Sequence, residues 1–212
     1  TAFSITAGAL IGGITGGIGS ALATRLHRSG HTIAGFAQDA DKLSKLSEEL
    51  GDFEYESCDA TDSEAVESTV EALHQKLGSI DAYVHAIGSI YLKPGHLTSD
   101  EDWAKTLNLN LNTAFYALRS VLKRMQKQSA GTCLFYSTAA AQTGISNHEA
   151  IAAAKGGIEA LVRSAASTYC TRGIRVNAIA PSLTDTPLSQ PIIGSEQALE
   201  ISRKMHPLGS IA

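Results

Sequence analysis

One lysine of this sequence lies in a predominantly apolar segment, where a charged side chain needs an explanation. Lys155 lies in the stretch HEAIAAAKGGIEAL, residues 148–161, where the spacing predicts a helix with Ile151 and Ile158 on the same face. Burying an ammonium is costly unless a partner compensates it. The segment therefore predicts either a lysine that extends its head to water or one that binds a ligand.

A histidine seven residues before this lysine adds a second chemical group. His148 is predicted on the same helical face as Lys155, nearer the start of the helix, so both side chains can face one cleft. An imidazole can exchange a proton near neutral pH. A surface histidine at a helix start is the plain alternative, and the spacing alone leaves both open.

The loop GGITGGIG, residues 12–19, carries a different kind of signal. Gly13, Gly17 and Gly19 follow the first apolar run directly and precede the first helical pattern. Backbone of this kind can turn tightly and approach a pyrophosphate, which a helix N-terminus stabilises. The placement predicts a dinucleotide-binding turn.

Regular alternation of strand and helix patterns must position these residues. The predicted strands are 9–13, 31–37, 53–61, 82–88, 132–138 and 174–181, and the predicted helices are 18–30, 39–51, 63–78, 102–126 and 148–171. PLSQPIIG, residues 187–194, is predicted to be a mobile loop. This pattern indicates one α/β domain over 1–212, a doubly wound parallel sheet with helices on both faces. Such sheets bind ligands at the carboxyl ends of their strands.

Composition excludes several functions. The 212 residues are 43% hydrophobic and 18% charged with a net charge of −4, so no basic field is available for nucleic acid. Cys58, Cys133 and Cys170 form no CxxC pair, which predicts core thiols in a reducing cytoplasm and no metal site. Residues 1–24 are uncharged, but six glycines favour strand, turn and helix over a membrane span.

Six stretches, the glycine loop among them, appear in register with a known family. They are GGITGGIG (12–19, compare TGxxxGxG), CDAT (58–61), HAIG (85–88, compare NNAG), NLNLNTAF (108–115), YSTAA (136–140) and RVNAIAPSLTDTP (175–187, compare RVNxxxPGxxxT). On these motifs the chain resembles the short-chain dehydrogenase/reductase family over its whole length. The resemblance implies a Rossmann-like sheet in the order 3-2-1-4-5-6, a small-molecule substrate, and an end that lacks the family's C-terminal helix and last strand.

The same resemblance assigns roles to residues. It implies catalytic residues at Asn110, Thr138 and Lys155, with Lys155 bonding the nicotinamide ribose. His148, seven residues before Lys155, is the fourth catalytic candidate. The resemblance implies cofactor-binding residues at Gly13, Thr15, Gly17, Ile18, Gly19, Gln38, Asp59, Ala60, Ala86, Gly88, Lys155, Pro181, Thr184 and Thr186.

One family residue is missing. Ile151 stands where the family has the tyrosine that delivers a proton. In one interpretation His148 supplies the acid at the seven-residue spacing that enoyl reductases of this superfamily use, with Tyr136 a weaker candidate. In the other, the protein binds a dinucleotide without chemistry, which Gly12 in place of Thr and Ser182 in place of Gly also suggest. Retention of Lys155 favours the enzyme.

The sequence also gives expectations for the choice between NAD and NADP and for the oligomeric state. Ala37 and Gln38 match neither the acidic nor the basic family signature, and the glycine loop has no Lys or Arg to meet a 2′-phosphate, which favours NAD over NADP. Asp39 has the spacing of a ribose-binding acid but is predicted to cap the next helix. Small residues on helices 102–126 and 150–171 predict a homodimer or homotetramer through these helices.

Overall fold

Six parallel strands form the centre of the protein. The computed structural model describes residues 7–51 and 53–212. The strands are Gly8–Gly12 (β1), Thr32–Ala37 (β2), Glu54–Ser57 (β3), Ala82–His85 (β4), Gly131–Tyr136 (β5) and Ile174–Ile179 (β6). They lie in the order β3-β2-β1-β4-β5-β6, all neighbours parallel. The predicted Rossmann-like order 3-2-1-4-5-6 is confirmed.

Helices cover both faces of this sheet. They are Gly17–Arg28 (α1), Ala40–Leu50 (α2), Ser63–Leu77 (α3), Asp100–Leu107 (α4), Thr113–Gln128 (α5), Ala140–Thr143 (α6), Glu149–Tyr169 (α7), Gln190–Ile193 (α8) and Glu196–Lys204 (α9). One core cluster joins α3, α5 and α7 to the sheet, and a second joins α1 and α2 to its other face. Burial of apolar side chains in these two layers holds the helices on the sheet.

The structure corrects two predicted elements. The helix expected over 102–126 is divided into α4 and α5 by a π-helical turn, Asn108–Asn112, in which the N–H of Thr113 donates to the carbonyl of Asn108. Such i→i−5 turns frequently occur at functional sites, and apolar periodicity does not reveal them. The segment 187–194 is not loop throughout, since it contains the short helix α8.

The first predicted strand and helix form as expected. Within residues 7–51 and 53–212 no helix is long and apolar enough to cross a bilayer, and residues 1–6 of the uncharged stretch lie outside the described part. The described residues contain no cluster of three or more His, Cys, Asp or Glu suited to a metal ion. Cys58 and Cys133 are buried thiols, but Cys170 is exposed, so its assignment to the core was wrong.

Candidate active site

The glycine loop after β1 is folded as tightly as its composition predicts. Gly13 has φ +77°, a left-handed conformation that favours glycine, and its N–H donates to the carbonyl of Phe36 at 2.8 Å. A Cβ on Gly13 would lie 2.8 Å from the carbonyl oxygen of Ala86, and one on Gly19 would overlap the carbonyl of Gly13. These contacts require glycine at both positions and place the loop against the end of β4.

The N-terminus of α1 has no side-chain cap, whereas four other helices have one. Side chains of Asp39, Asp62, Ser99 and Ser195 cap α2, α3, α4 and α9. By contrast, α1 begins after Gly16 with no side-chain cap and no acidic residue in its first turn. Free N–H groups and the helix dipole favour an anion here. The loop, with half-buried Thr15 and Ile18, therefore fits the pyrophosphate of a dinucleotide.

The strand ends beside this loop present the residues expected near an adenosine. Gln38 is exposed just after β2. After β3, the carboxylate of Asp59 accepts from the N–H of Thr61 at 2.9 Å and from its hydroxyl at 2.7 Å, which lowers the pKa of Asp59. Ala60 beside it is buried. The Asp59 carboxylate is thus held in a fixed orientation at the carboxyl edge of the sheet.

Asp39 caps α2, as the sequence predicts. Its Oδ1 accepts from the N–H of Lys42 at 3.0 Å, and its Oδ2 lies 3.1 Å from the Lys42 ammonium. These two interactions lower the pKa of Asp39. A carboxylate therefore stands next to Gln38 at the end of β2.

Lys155 is buried, and this rules out the lysine that extends to water. Its residue is 8% exposed, and its Nζ donates to the backbone carbonyl of Tyr136 at 3.0 Å. A Cβ on Gly88 would lie 3.1 Å from that Nζ, so the ammonium lies beside the segment that follows β4. Burial lowers the pKa of Lys155 to about 8.

Asn110 lies in the π-helical turn and is completely buried. Its Oδ1 accepts from the N–H of Ser89 at 3.0 Å, and its Nδ2 donates to Ser89 Oγ at 2.9 Å and to the carbonyl of Thr106 at 3.0 Å. Both amide protons are therefore used within the protein. The Asn110 side chain ties the segment after β4 to the turn that carries it.

Ser137 and Thr138 follow β5 and have different surroundings. The buried Ser137 hydroxyl lies 2.7 Å from Glu159 Oε1 and 3.2 Å from the carbonyl of Lys155, which fixes the end of β5 against α7. Thr138 is half-buried, and its Oγ1 accepts from the N–H of Ala140 at 3.3 Å. Among the described residues the Thr138 hydroxyl proton has no acceptor, so it is free to meet a substrate oxygen.

His148 sits at the N-cap of α7 rather than within the helix. Its Nδ1 lies 2.8 Å from the carbonyl of Ser146; a carbonyl only accepts, so Nδ1 carries a proton and Nε2 is left for other contacts. The neighbouring Asn147 carbonyl accepts from the N–H of Lys93 at 2.9 Å. His148 therefore lies beside the segment that follows β4. Ile151, one turn further on, is buried.

The segment after β6 approaches both the end of β5 and the glycine loop. The carbonyl of Pro181 accepts from the N–H of Ala139 at 3.0 Å. A Cβ on Gly17 would lie 2.8 Å from the Cβ of Thr186. Pro181 thus lies beside the residue after Thr138, and Thr186 lies beside the glycine loop. Thr184 is half-buried in the same segment.

Comparison with known proteins shows which family the chain belongs to. A family model described as Enoyl-(Acyl carrier protein) reductase matches residues 13–212. The 3beta-hydroxysteroid dehydrogenase of Mediterraneibacter gnavus is 31% identical over 186 residues, covering 85% of this chain and 67% of that protein. The chain belongs to the short-chain dehydrogenase/reductase family.

Other members of the short-chain dehydrogenase/reductase family agree in sequence and shape. The 3-oxoacyl-acyl-carrier-protein reductase FabG of Thermotoga maritima is 31% identical over 204 residues, covering 94% of this chain and 82% of that protein. The crystal structure of an NAD+-bound xylitol dehydrogenase superposes with a TM-score of 0.89 at 27% identity, covering 98% of this chain and 87% of that one. This member of the family is an NAD(P)-dependent oxidoreductase.

Three residues near the site of this short-chain dehydrogenase/reductase escaped the sequence analysis. Ser89 binds Asn110, and Ser189, 1% exposed, accepts from the N–H of Thr186 at 3.0 Å and donates to the carbonyl of Thr184 at 2.7 Å. His85 is buried between two hydroxyls. Serines in loops carry no pattern, but a histidine inside a predicted buried strand was a usable signal.

Proposed function

We propose that the protein transfers hydride between a nicotinamide dinucleotide and a small carbonyl or enoyl substrate. The observation that carries the proposal is the buried Lys155 ammonium, which lies beside Gly88, just beyond the end of β4, and bonds the carbonyl of Tyr136 at the end of β5. An ammonium in this position is stabilised when ligand hydroxyls share its protons. Thr138, with its free hydroxyl proton, follows β5 at the same edge of the sheet.

The chain has residues for each part of the cofactor. Gly13, Thr15, Gly17, Ile18 and Gly19 would hold the pyrophosphate at the open N-terminus of α1, and Lys155 the nicotinamide ribose. The remaining contacts would come from Gln38, Asp59, Ala60, Ala86, Gly88, Pro181, Thr184 and Thr186. A bound nicotinamide supplies or accepts the hydride.

Proton delivery needs a group other than the missing tyrosine. The hydroxyl of Thr138 orients the substrate oxygen, and Nε2 of protonated His148 donates a proton to that oxygen as negative charge develops on it. His148 then stays neutral with its remaining proton on Nδ1, where the Ser146 carbonyl accepts it. The buried Asn110 keeps the π-helical turn and the segment after β4 in place.

The charge at the end of β2 favours NAD. Asp39 places a carboxylate beside Gln38, and no Lys or Arg lies in the glycine loop, residues 12–19. A 2′-phosphate would meet the Asp39 charge without a basic side chain from that loop. The NAD+-bound xylitol dehydrogenase is a relative with this cofactor.

A second candidate function is dinucleotide binding without catalysis. Buried Ile151 favours it, because no proton donor occupies the position one turn before Lys155. Screening carbonyl and enoyl compounds for NADH and NADPH oxidation separates the two functions. Oxidation that depends on an added compound supports the enzyme. Cofactor binding without oxidation, across both compound classes, supports the binder.

We also propose a homodimer or homotetramer assembled through α5 and α7. Phe115 on α5 is 45% exposed, and the small residues Ala153 and Ala160 are exposed on α7. Small side chains allow close helix approach, and an exposed aromatic ring gains from burial. Light scattering at tens of micromolar tests this assembly, and a monomer would contradict it.

A further inference from the structure

Three buried polar side chains form a chain of hydrogen bonds between β4 and the start of α5. Tyr83 and His85 belong to β4, and Thr113 begins α5; all three are at most 1% exposed. Tyr83 Oη lies 2.8 Å from His85 Nδ1, and His85 Nε2 lies 3.3 Å from Thr113 Oγ1. The Thr113 hydroxyl donates to the carbonyl of Leu109 at 2.8 Å. Groups so deeply buried are costly unless every one is satisfied.

With His85 neutral, only one arrangement of protons satisfies all three contacts. The carbonyl of Leu109 can only accept, so the single proton of Thr113 is directed to it. Thr113 Oγ1 must then accept from His85, which places the histidine proton on Nε2. His85 Nδ1 is left to accept from the Tyr83 hydroxyl. Burial together with the charge of Lys155 lowers the pKa of His85 to about 3, which keeps the imidazole neutral.

The chain joins the two segments that form the site. At one end, a Cβ on Gly12 would lie 2.8 Å from Tyr83 Oη and 2.9 Å from Phe36 Cζ. Gly12 is the last residue of β1, it pairs with His85, and the glycine loop begins after it. At the other end, Leu109 lies in the π-helical turn that carries Asn110.

We propose that Tyr83, His85 and Thr113 act as positioning residues that hold the glycine loop and the π-helical turn in register. Two departures from the motifs then have one explanation. Gly12 stands where TGxxxGxG has Thr, and His85 where NNAG has its first Asn. The Tyr83 hydroxyl takes the space of a side chain at position 12, and it supplies the proton that His85 needs. The expected effect on cofactor affinity rests on the proposed function.

The direction of the chain is testable without any cofactor. In protein labelled with ¹⁵N-histidine, the ring signals of His85 are identified by their loss in His85→Asn. The expected tautomer in the native protein has the proton on Nε2. Tyr83→Phe removes the donor to Nδ1, so the proton is expected to move at least partly to Nδ1, where its bond to Thr113 is lost. A native His85 protonated on Nδ1, or doubly protonated at neutral pH, would overturn the arrangement.

The positioning role is tested by NADH affinity. Tyr83→Phe and Thr113→Val are each expected to weaken NADH binding roughly threefold to tenfold, the equivalent of one net hydrogen bond. Tyr169→Phe, at the far end of α7, is the matched control and leaves the affinity unchanged. Variants that melt earlier but bind NADH as tightly as the native protein would show a purely structural network. A native protein that binds no NADH would remove the proposed function, whereas the tautomer result would stand.

The link between Gly12 and Tyr83 has its own test. Gly12→Ala introduces the Cβ that meets the Tyr83 hydroxyl, so it lowers the melting temperature in the native background. In Tyr83→Leu that hydroxyl is absent, and the same Gly12→Ala change is expected to lower the melting temperature by a smaller amount. An equal decrease in both backgrounds would overturn the pairing.

Discussion

The ammonium of Lys155 donates to the backbone carbonyl of Tyr136 at 3.0 Å, and this bond connects the middle of α7 to the last residue of β5. The carbonyl uses one of three ammonium protons. Among the described residues the other two have no acceptor, and the ammonium lies beside Gly88, where a Cβ would come within 3.1 Å of Nζ. A lysine with one internal acceptor is therefore suited to hold hydroxyl groups of a ligand.

The burial of Lys155 predicts a specific dependence of stability on pH. Its pKa is about 8 in the folded protein and near 10.5 when unfolded. Between these values the unfolded chain binds more protons, so the free energy of unfolding rises with pH by about 3 kcal/mol. Below pH 8 this contribution is constant. Urea unfolding from pH 7 to 10.5 should show the rise in the native protein relative to Lys155→Met. The exposed Lys127→Met control should follow the native curve, and parallel native and Lys155→Met curves would disprove the burial.

His148 is tested as the proton donor by His148→Gln. Loss of an essential acid lowers the rate on the order of 10²- to 10⁴-fold, while NADH affinity is expected to stay unchanged because His148 contacts only the substrate. The matched control is His96→Gln, since His96 is exposed on the neighbouring segment after β4. Turnover by His148→Gln at the native rate would remove His148 from the mechanism.

Ile151→Tyr restores a hydroxyl one turn before Lys155. The expected result is stronger carbonyl reduction, because a tyrosine beside a lysine ammonium can deliver a proton to a developing alkoxide. The side chain is larger than the buried isoleucine, so a melting curve must accompany the rates. Ile151→Phe has a similar volume without the hydroxyl and serves as control. Equal gains in both variants would show that the hydroxyl is not responsible.

Asp39 is expected to determine the choice between NAD and NADP. Asp39→Ser keeps a side chain that can cap α2 and removes the charge beside Gln38. The preference for NAD should fall on the order of tenfold, because the 2′-phosphate no longer meets a carboxylate and Lys42 is released. Asp41→Ser, in the first turn of the same helix, is the control. An unchanged ratio of the two dissociation constants would exclude Asp39 from cofactor choice.

The architecture was predictable because it depends on periodic burial. The ends of strands β1, β2 and β4 lie within three residues of those predicted, since buried apolar runs mark them. The π-helical turn at Asn108–Asn112 was not predictable, because apolar residues continue through it with helical spacing. The α8 helix was missed because four residues give no periodicity.

The site residues likewise include some that the sequence predicts and others that it does not. The glycine loop and Lys155 belong to local sequence motifs, so the sequence alone indicates them as site residues. The position of His148 at a helix cap depends on the bond from Lys93 to Asn147, which joins residues more than fifty apart along the chain. Tyr83 and Thr113 meet His85 only through the pairing of β4 with the start of α5. Contacts of this kind follow from the fold rather than from local pattern.

Calorimetric titration of the protein with NADH and with NADPH tests the central claim most directly. The glycine loop, the open N-terminus of α1 and the buried Lys155 predict saturable binding, tighter for NADH, which is lost when Gly19→Ala places a side chain against the carbonyl of Gly13. No heat and no rise in melting temperature with either dinucleotide would contradict the account.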